Sequence, residues 1–232
     1  MLDFSRFKYI TFDCYGTLID WETGILGALQ PVLGAHGVTL ADDNVLELYA
    51  GIESRLEQGP YRPYREVLRL AVREFGERLG FTPSLEEIAS LSESIKNWPP
   101  FPDTVAALRD LSTRYKLAII SNIDDELFAY SAQHLQVHFA DVITAEQVGS
   151  YKPSRNNFRE AIKRLGVSSN EILHVAQSVF HDIVPAKELG IANVWVDRRA
   201  SKGGFGATPA ALAAPDLRVT SLRELANLAL SR

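Results

Sequence analysis

Tyr9-Ile10-Thr11-Phe12-Asp13-Cys14-Tyr15-Gly16-Thr17-Leu18 is the stretch that decides the fold. Tyr9 to Phe12 is a short apolar run of the kind that becomes a buried parallel strand, and it is stopped by a carboxylate at Asp13. Two more runs have the same form: Lys116-Leu117-Ala118-Ile119-Ile120 halts at Ser121, and Ile172-Leu173-His174-Val175 halts before Gln177. Asn193 to Val196 reads as a fourth strand after a helical stretch, Val184 to Leu189, that stops at Gly190. Helix-period segments lie between them, Pro102 to Tyr115 with Val105, Leu108 and Leu111 on one face, and Asn156 to Leu165 with Phe158, Ala161, Ile162 and Leu165. Strand alternating with helix predicts an α/β fold, a mainly parallel sheet with helices on both faces.

The interval from the first strand to the second is too long for one crossover and is itself helix-rich, so it predicts an insert. Amphipathic stretches at Gly24 to Leu33, Asp43 to Arg55, Arg62 to Leu79 and Leu85 to Trp98 give a small helical cap, and the prolines of Asn97-Trp98-Pro99-Pro100-Phe101-Pro102 mark the return linker. The expected division is a core of residues 1–19 and 98–232 and a cap of residues 20–97. Ligands in open α/β sheets bind outside the carboxyl ends of the strands. Asp13, Ser121 and the Gln177 to Asp182 segment all sit at such ends and are expected to converge under the cap.

Composition narrows the function. The 232 residues are 46% hydrophobic and 23% charged, which suits a globular protein with a sizeable core. With 24 Lys and Arg against 29 Asp and Glu, a net charge of -5 and no long basic run, binding to nucleic acid or to an anionic membrane has no electrostatic basis. Cys14 is the single cysteine, so no intramolecular disulfide and no cysteine zinc site is expected, and a reducing cytoplasm fits. The charged Met1 to Lys8 segment is unlike a secretion signal, and no apolar run approaches the ~20 residues of a membrane span.

Asp13 is the candidate nucleophile. It follows a buried strand directly, and Gly16 in the next turn permits unusual dihedrals that let loop N–H groups face a pocket and stabilise anionic oxygen. A lone carboxylate at a strand end is otherwise a turn cap.

The wider pattern resembles the haloacid dehalogenase superfamily. Phe12-Asp13-Cys14-Tyr15-Gly16-Thr17-Leu18 is similar to its first motif, Ser121-Asn122 to the second, Lys152-Pro153 to the third, and His174-Val175-Ala176-Gln177-Ser178 through Asp182 to the fourth. The resemblance implies a Rossmann-like core with an inserted cap. Phosphatases of this superfamily carry a second Asp two places after the nucleophile, where this chain has Tyr15, and an acidic magnesium ligand where it has Gln177. A neutral amide is a poor substitute for a carboxylate on this hard cation, so metal-assisted phosphoryl transfer loses its acid and much of its cation site. A halide leaves without a proton. The pattern is similar to the type II 2-haloacid dehalogenases, and that resemblance implies a metal-free mechanism: Asp13 displaces halide from C2 of a short 2-haloalkanoic acid, and water then cleaves the aspartyl ester.

Further roles follow from charge, reach and motif position. Lys152 is expected as the cation between Asp13 and Asp182. Ser121, Asn122 and Thr17 are expected to donate hydrogen bonds to a substrate carboxylate or to Asp13, and Asp182 to orient Lys152 or the hydrolytic water or to cap the helix from Val184. Tyr15, Gln177, Ser178 and His181 are expected beside the substrate, His181 as a weak candidate for handling water, whereas His174 reads as a core histidine. The dehalogenases grip the carboxylate with an Arg on an early cap helix; the matching place, near Tyr49-Ala50, has none, which leaves Arg55, Arg62 and Arg65 as the expected cations of the pocket roof. A tyrosine of that family is replaced by Phe158. The expected partner is a small anionic substrate, with a homodimer as the family-based expectation and no cofactor. Two alternatives remain, a magnesium-dependent phosphatase of a small phosphorylated metabolite and a non-catalytic protein that binds a small organic anion.

Overall fold

The computed structural model describes residues 2–231. Strand β1 (Tyr9–Phe12) is buried from Ile10 onward, which a strand covered on both faces requires. Four helices follow, α1 (Trp21–Ala35), α2 (Asp42–Leu56), α3 (Tyr64–Leu79) and α4 (Leu85–Ser94). After them come α5 (Thr104–Ser112), β2 (Lys116–Ser121), α6 (Asp125–Leu135), β3 (Asp141–Thr144), the one-turn α7 (Ala145–Val148) and α8 (Arg155–Leu165). The chain closes with β4 (Ile172–Ala176), a π-helical turn at Val179–Ile183, α9 (Val184–Glu188), β5 (Ala192–Val196), β6 (Leu217–Val219) and α10 (Leu222–Leu230).

The strands form one parallel sheet in the order β3-β2-β1-β4-β5-β6. This is a Rossmann-like α/β architecture. β1 lies between β2 and β4, with Phe12 in register with Ile119 on one side and Val175 on the other. That register brings the loops after β1, β2 and β4 out at one edge. The two strands absent from the sequence reading, β3 and β6, are the sheet's outer strands. Both are short and only partly buried, so neither shows the unbroken apolar run that marks the inner strands.

The helices α1 to α4 pack on one another. Chain leaving β1 and chain returning from α4 run side by side: the Asp20 N–H donates to the Pro99 carbonyl at 2.8 Å and the Phe101 N–H to the Leu18 carbonyl at 3.0 Å. Gly24 is what lets α1 lie on Trp98, because a Cβ there would come within 2.5 Å of the indole. Among the described residues no helix is long and apolar enough to cross a membrane.

Candidate active site

Three loops meet at the carboxyl edge of the sheet. Asp13 is anchored by its own N–H, which donates to the Val175 carbonyl of β4 at 3.1 Å. The residue is 6% exposed and both side-chain oxygens are occupied: Lys152 Nζ donates to Oδ1 at 2.9 Å and Thr17 Oγ1 to Oδ2 at 2.6 Å. Thr17 in turn accepts the Gln177 N–H at 2.8 Å, tying the loop after β1 to the loop after β4. Gly16 makes this turn possible with φ +89°, and a Cβ there would stand 2.8 Å from Trp21 Nε1.

Lys152 is 2% exposed and spends all three of its protons, on Asp13, on Asp182 Oδ1 at 2.7 Å and on the Ile120 carbonyl at 2.9 Å. Burial alone would lower the pKa of this ammonium, but the two carboxylates outweigh it and raise it. Burial pushes the Asp13 carboxyl up, with Lys152 pulling down and the Asp182 charge adding to the rise. Burial also opposes ionisation of Asp182, yet Lys152 and the His174 bond hold its carboxyl below the usual carboxylate range. One ammonium thus serves two buried carboxylates.

The structure places Asp13, Lys152, Asp182, Ser121 and Asn122 around one cavity, with Tyr15, Gln177, Ser178 and His181 also on its wall. The cavity measures ≈ 30 Å³, room for one or two water molecules. Asn122 lines the cavity and also clamps the lysine backbone: its Oδ1 accepts the Lys152 N–H at 2.7 Å and its Nδ2 donates to the Lys152 carbonyl at 3.1 Å, which leaves the second Nδ2 hydrogen only long contacts to Glu57 at 3.4 Å. Ser121 Oγ, His181 Nε2 and Asp182 Oδ2 are buried without a partner. Tyr15 shows the cavity its ring, while its hydroxyl bonds Ser131 Oγ at 2.8 Å. Burial pushes that phenol well above its usual value, with the neighbouring Cys14 adding to it. His181 Nδ1 lies 3.1 Å from Ser178 Oγ, and burial pulls its imidazole down to about 4, so the ring is neutral at neutral pH.

Two expectations need correcting. Asp182 does not cap α9, whose first turn has no side-chain cap; its carboxylate is drawn instead to Lys152 and to His174 Nε2 at 3.0 Å. Arg55, Arg62 and Arg65 do not line the cavity. Arg55 pairs with Glu74 on the exposed side of α2, Arg65 pairs with Glu93 and Glu126, and Arg62 meets the Tyr151 hydroxyl only through its carbonyl. A guanidinium paired at the surface keeps its hydration, which burial under the cap would cost.

What the cap does present was not anticipated. Glu53 and Glu57 of α2 and its C-terminal cap line the cavity beside Trp21 and Tyr64. Glu53 accepts from the hydroxyls of Tyr49 at 2.7 Å and of Tyr64, and burial pushes its carboxyl up to about 7. The signal was legible as Tyr49, Glu53 and Glu57 at four-residue spacing, one face of a helix. His174, read as a core histidine, is indeed buried, and it also positions Asp182 while its Nδ1 meets Thr11 Oγ1 at 2.9 Å. Phe158 packs edge-on against it at 5.0 Å.

Phosphatases of the superfamily that the sequence resembles imply magnesium at the nucleophile, and the donor set here does not fit it. Both Asp13 oxygens are taken by Lys152 and Thr17, and Gln177 offers one neutral oxygen that already accepts from Thr208 at 3.2 Å. Among the described residues no group of three His, Cys, Asp or Glu side chains is placed to hold a metal ion.

A carboxylate at the end of the central strand, matched to a buried lysine beneath the helices inserted after it, is the arrangement that the sequence resemblance implies. A family model described as haloacid dehalogenase-like hydrolase matches residues 7–190, and the chain belongs to that family. It is similar to (S)-2-haloacid dehalogenase H-109 of Pseudomonas putida, 26% identical over 207 residues that cover 86% of this chain and 90% of that one. It is also similar to glyceraldehyde 3-phosphate phosphatase of Methanothermobacter thermautotrophicus, 28% identical over 201 residues, 82% of this chain and 85% of that one. The structure of L-2-haloacid dehalogenase from Xanthobacter autotrophicus with chloropropionic acid covalently bound matches with a TM-score of 0.80 at 22% identity, over 96% of this chain and 98% of that one.

Proposed function

We propose that this hydrolase cleaves a carbon–halogen bond in a small 2-halocarbonyl compound through an ester of Asp13, without a metal. The observation that carries this reading is the pair of side chains beside Asp13: Gln177, a neutral amide already bonded by Thr208, stands where the phosphatase pattern has an acidic magnesium ligand, and Tyr15 stands where it has the acid. Tyr15, the residue two places on, has its phenol tied to Ser131 and its ionisation suppressed, so it is a poor proton donor to a leaving alcohol. A halide needs no such donor. In the first step an Asp13 oxygen bonds to C2 as the carbon–halogen pair departs on halide; Lys152 keeps the nucleophile anionic beforehand. In the second, water adds to the Asp13 carbonyl carbon, the ester C–O bond breaks, and the alcohol carries off one of the water protons. The free Oδ2 of Asp182 is the acceptor that orients this water.

The dehalogenase relatives support the carbon–halogen chemistry, and 2-haloacids are the substrates their names give. Halide release that a chelator leaves unchanged, with heavy oxygen from labelled water entering Asp13 in a single turnover, is the expected result. Chelator-sensitive phosphate release from small phosphate esters, with no label in Asp13, would overturn the proposal in favour of the phosphatase chemistry named for the other relative.

A further inference from the structure

The cavity over Asp13 is too small for the chemistry it carries. It has room for one or two water molecules, and any 2-halo compound brings more heavy atoms than that. Some part of its wall must give way. Asp13, Lys152 and Asp182 are fixed by charge-assisted bonds, Asn122 by the Lys152 backbone, Tyr15 by Ser131 and Tyr64 by Glu53. Thr208 is held more lightly. It comes from the stretch between β5 and β6, residues 197–216, which has neither helix nor strand, and its side chain reaches the rest of the wall through one bond, to Gln177 Oε1 at 3.2 Å. Long irregular connections of this kind are commonly binding loops.

Behind Thr208 lies a second, larger space. A chamber of ≈ 380 Å³ shares Thr208 with the cavity and is walled by Phe205 and Pro209 of the same stretch and by Ala50, Gly51 and Ser54 of α2. α2 stands between the two spaces, with Glu53 and Glu57 on the cavity and the neighbouring face of the helix on the chamber. Arg199 anchors the far wall to the cap, pairing with Glu22 of α1 and Asp43 of α2 at 2.6 Å each. The walls are largely apolar, and the one cation among them, Arg55, is already spent on Glu74. Phe205 is 52% exposed, so it has apolar surface left to bury.

We propose that this chamber is the subsite for the carbon chain that the substrate carries on C2, reached past Thr208, and that the enzyme takes medium-chain 2-haloacids such as 2-bromohexanoate in preference to 2-bromopropionate. This rests on the carbon–halogen reading above and names the substrate class within it. The reaction itself is unchanged: C2 loses bromide and gains an Asp13 oxygen, water restores Asp13, and the products are a 2-hydroxy acid, bromide and a proton. Each methylene that leaves water for an apolar chamber is worth up to about fourfold in binding, and hexanoate brings three more of them than propionate.

Gly51 supplies the test. It is exposed, nothing lies within 4 Å of where its Cβ would stand, and a helix interior favours an ordinary residue over glycine, so a larger side chain there enters the chamber and not the packed interior. Bromide release from 2-bromopropionate, 2-bromohexanoate and 2-bromooctanoate is compared in the wild type, Gly51→Leu and Gly51→Phe, counted beyond one equivalent per chain so that alkylation of Cys14 is left out. The wild type is expected to favour hexanoate over propionate in kcat/KM by about tenfold or more, Gly51→Leu to narrow that preference and Gly51→Phe to abolish or reverse it. The readout is a ratio of two substrates within one protein, which a general loss of activity does not move. A wild-type ratio at or below one, or a preference untouched in a folded Gly51→Phe, would overturn the subsite, with heavy-oxygen label in Asp13 still upholding the carbon–halogen reading. No bromide from any of the three acids and no label in Asp13 would take down both. The wild-type ratio decides by itself if neither variant folds.

Discussion

Lys152 Nζ stands 2.9 Å from Asp13 Oδ1 with both side chains buried, a charge pair in place before any substrate arrives. The same ammonium holds Asp182 at 2.7 Å. Removing it leaves two buried carboxylates facing each other. Lys152→Met is expected to cost about 3–5 kcal/mol of stability, as loss of one partner from a buried pair does, and to cut turnover by roughly a thousandfold or more as Asp13 becomes protonated. Urea unfolding and halide release check both; a stable and active Lys152→Met would show that Asp13 needs no counter-ion.

Asp13→Asn should separate stability from function. Burial raises the Asp13 carboxyl above its unfolded value, so its contribution is most favourable below the unfolded pKa and is lost as pH rises through the folded one. At neutral pH the native state carries this cost, while Asn keeps an oxygen for Lys152 and leaves it paired one-to-one with Asp182. The variant is expected to melt higher than wild type at pH 7, with the gap closing toward pH 3, and to be inactive. A lower melting temperature at pH 7 would mean that the Asp13–Lys152 attraction outweighs the burial.

Gly16→Ala tests the turn itself. The residue sits at φ +89° with Trp21 Nε1 only 2.8 Å from where a Cβ would go. The strained backbone and the close contact together are expected to cost about 1–3 kcal/mol and to displace Thr17 from Asp13, lowering kcat more than raising KM. Chemical denaturation and steady-state kinetics read the two effects; an unchanged urea midpoint would show that Trp21 yields freely.

How much of this was legible in the sequence depended on burial. The inner strands showed themselves because residues such as Ile119 and Val175 must be apolar on both faces, and each run ends at a residue with chemistry on it. Asp13, Lys152 and Asp182 could be grouped because motif order and the placement of strand ends point the same way. β3 and β6 have one edge open and no such demand, so Val142 and Leu217 carried no signal. The arginines failed for a different reason: sequence gives charge but not direction, and Arg55 and Arg65 are turned outward by Glu74 and Glu93, which belong to neighbouring helices. Glu53 and Glu57 look like solvated helix residues until Tyr49 and Tyr64 are seen converging on Glu53.

Acid stability should depend on two cavity residues that pull in opposite directions. His181 is drawn by burial from 6.5 to about 4, so it contributes stability that is complete above its unfolded pKa and is lost as pH falls toward 4. Glu53 is pushed by burial from 4.5 to about 7, so its contribution is complete below its unfolded pKa and is lost as pH rises toward 7. Each is worth on the order of 3 kcal/mol across its window, and the windows overlap, so between pH 4.5 and 6.5 these two contributions offset each other. Relative to wild type, Glu53→Gln is expected to turn the slope of stability against pH toward a fall on acidification, and His181→Asn to turn it toward a rise. Unfolding free energies measured across that range in the three proteins give the slopes. If both variants track the wild type, these residues do not carry their charges into the buried cavity in the way the fold implies.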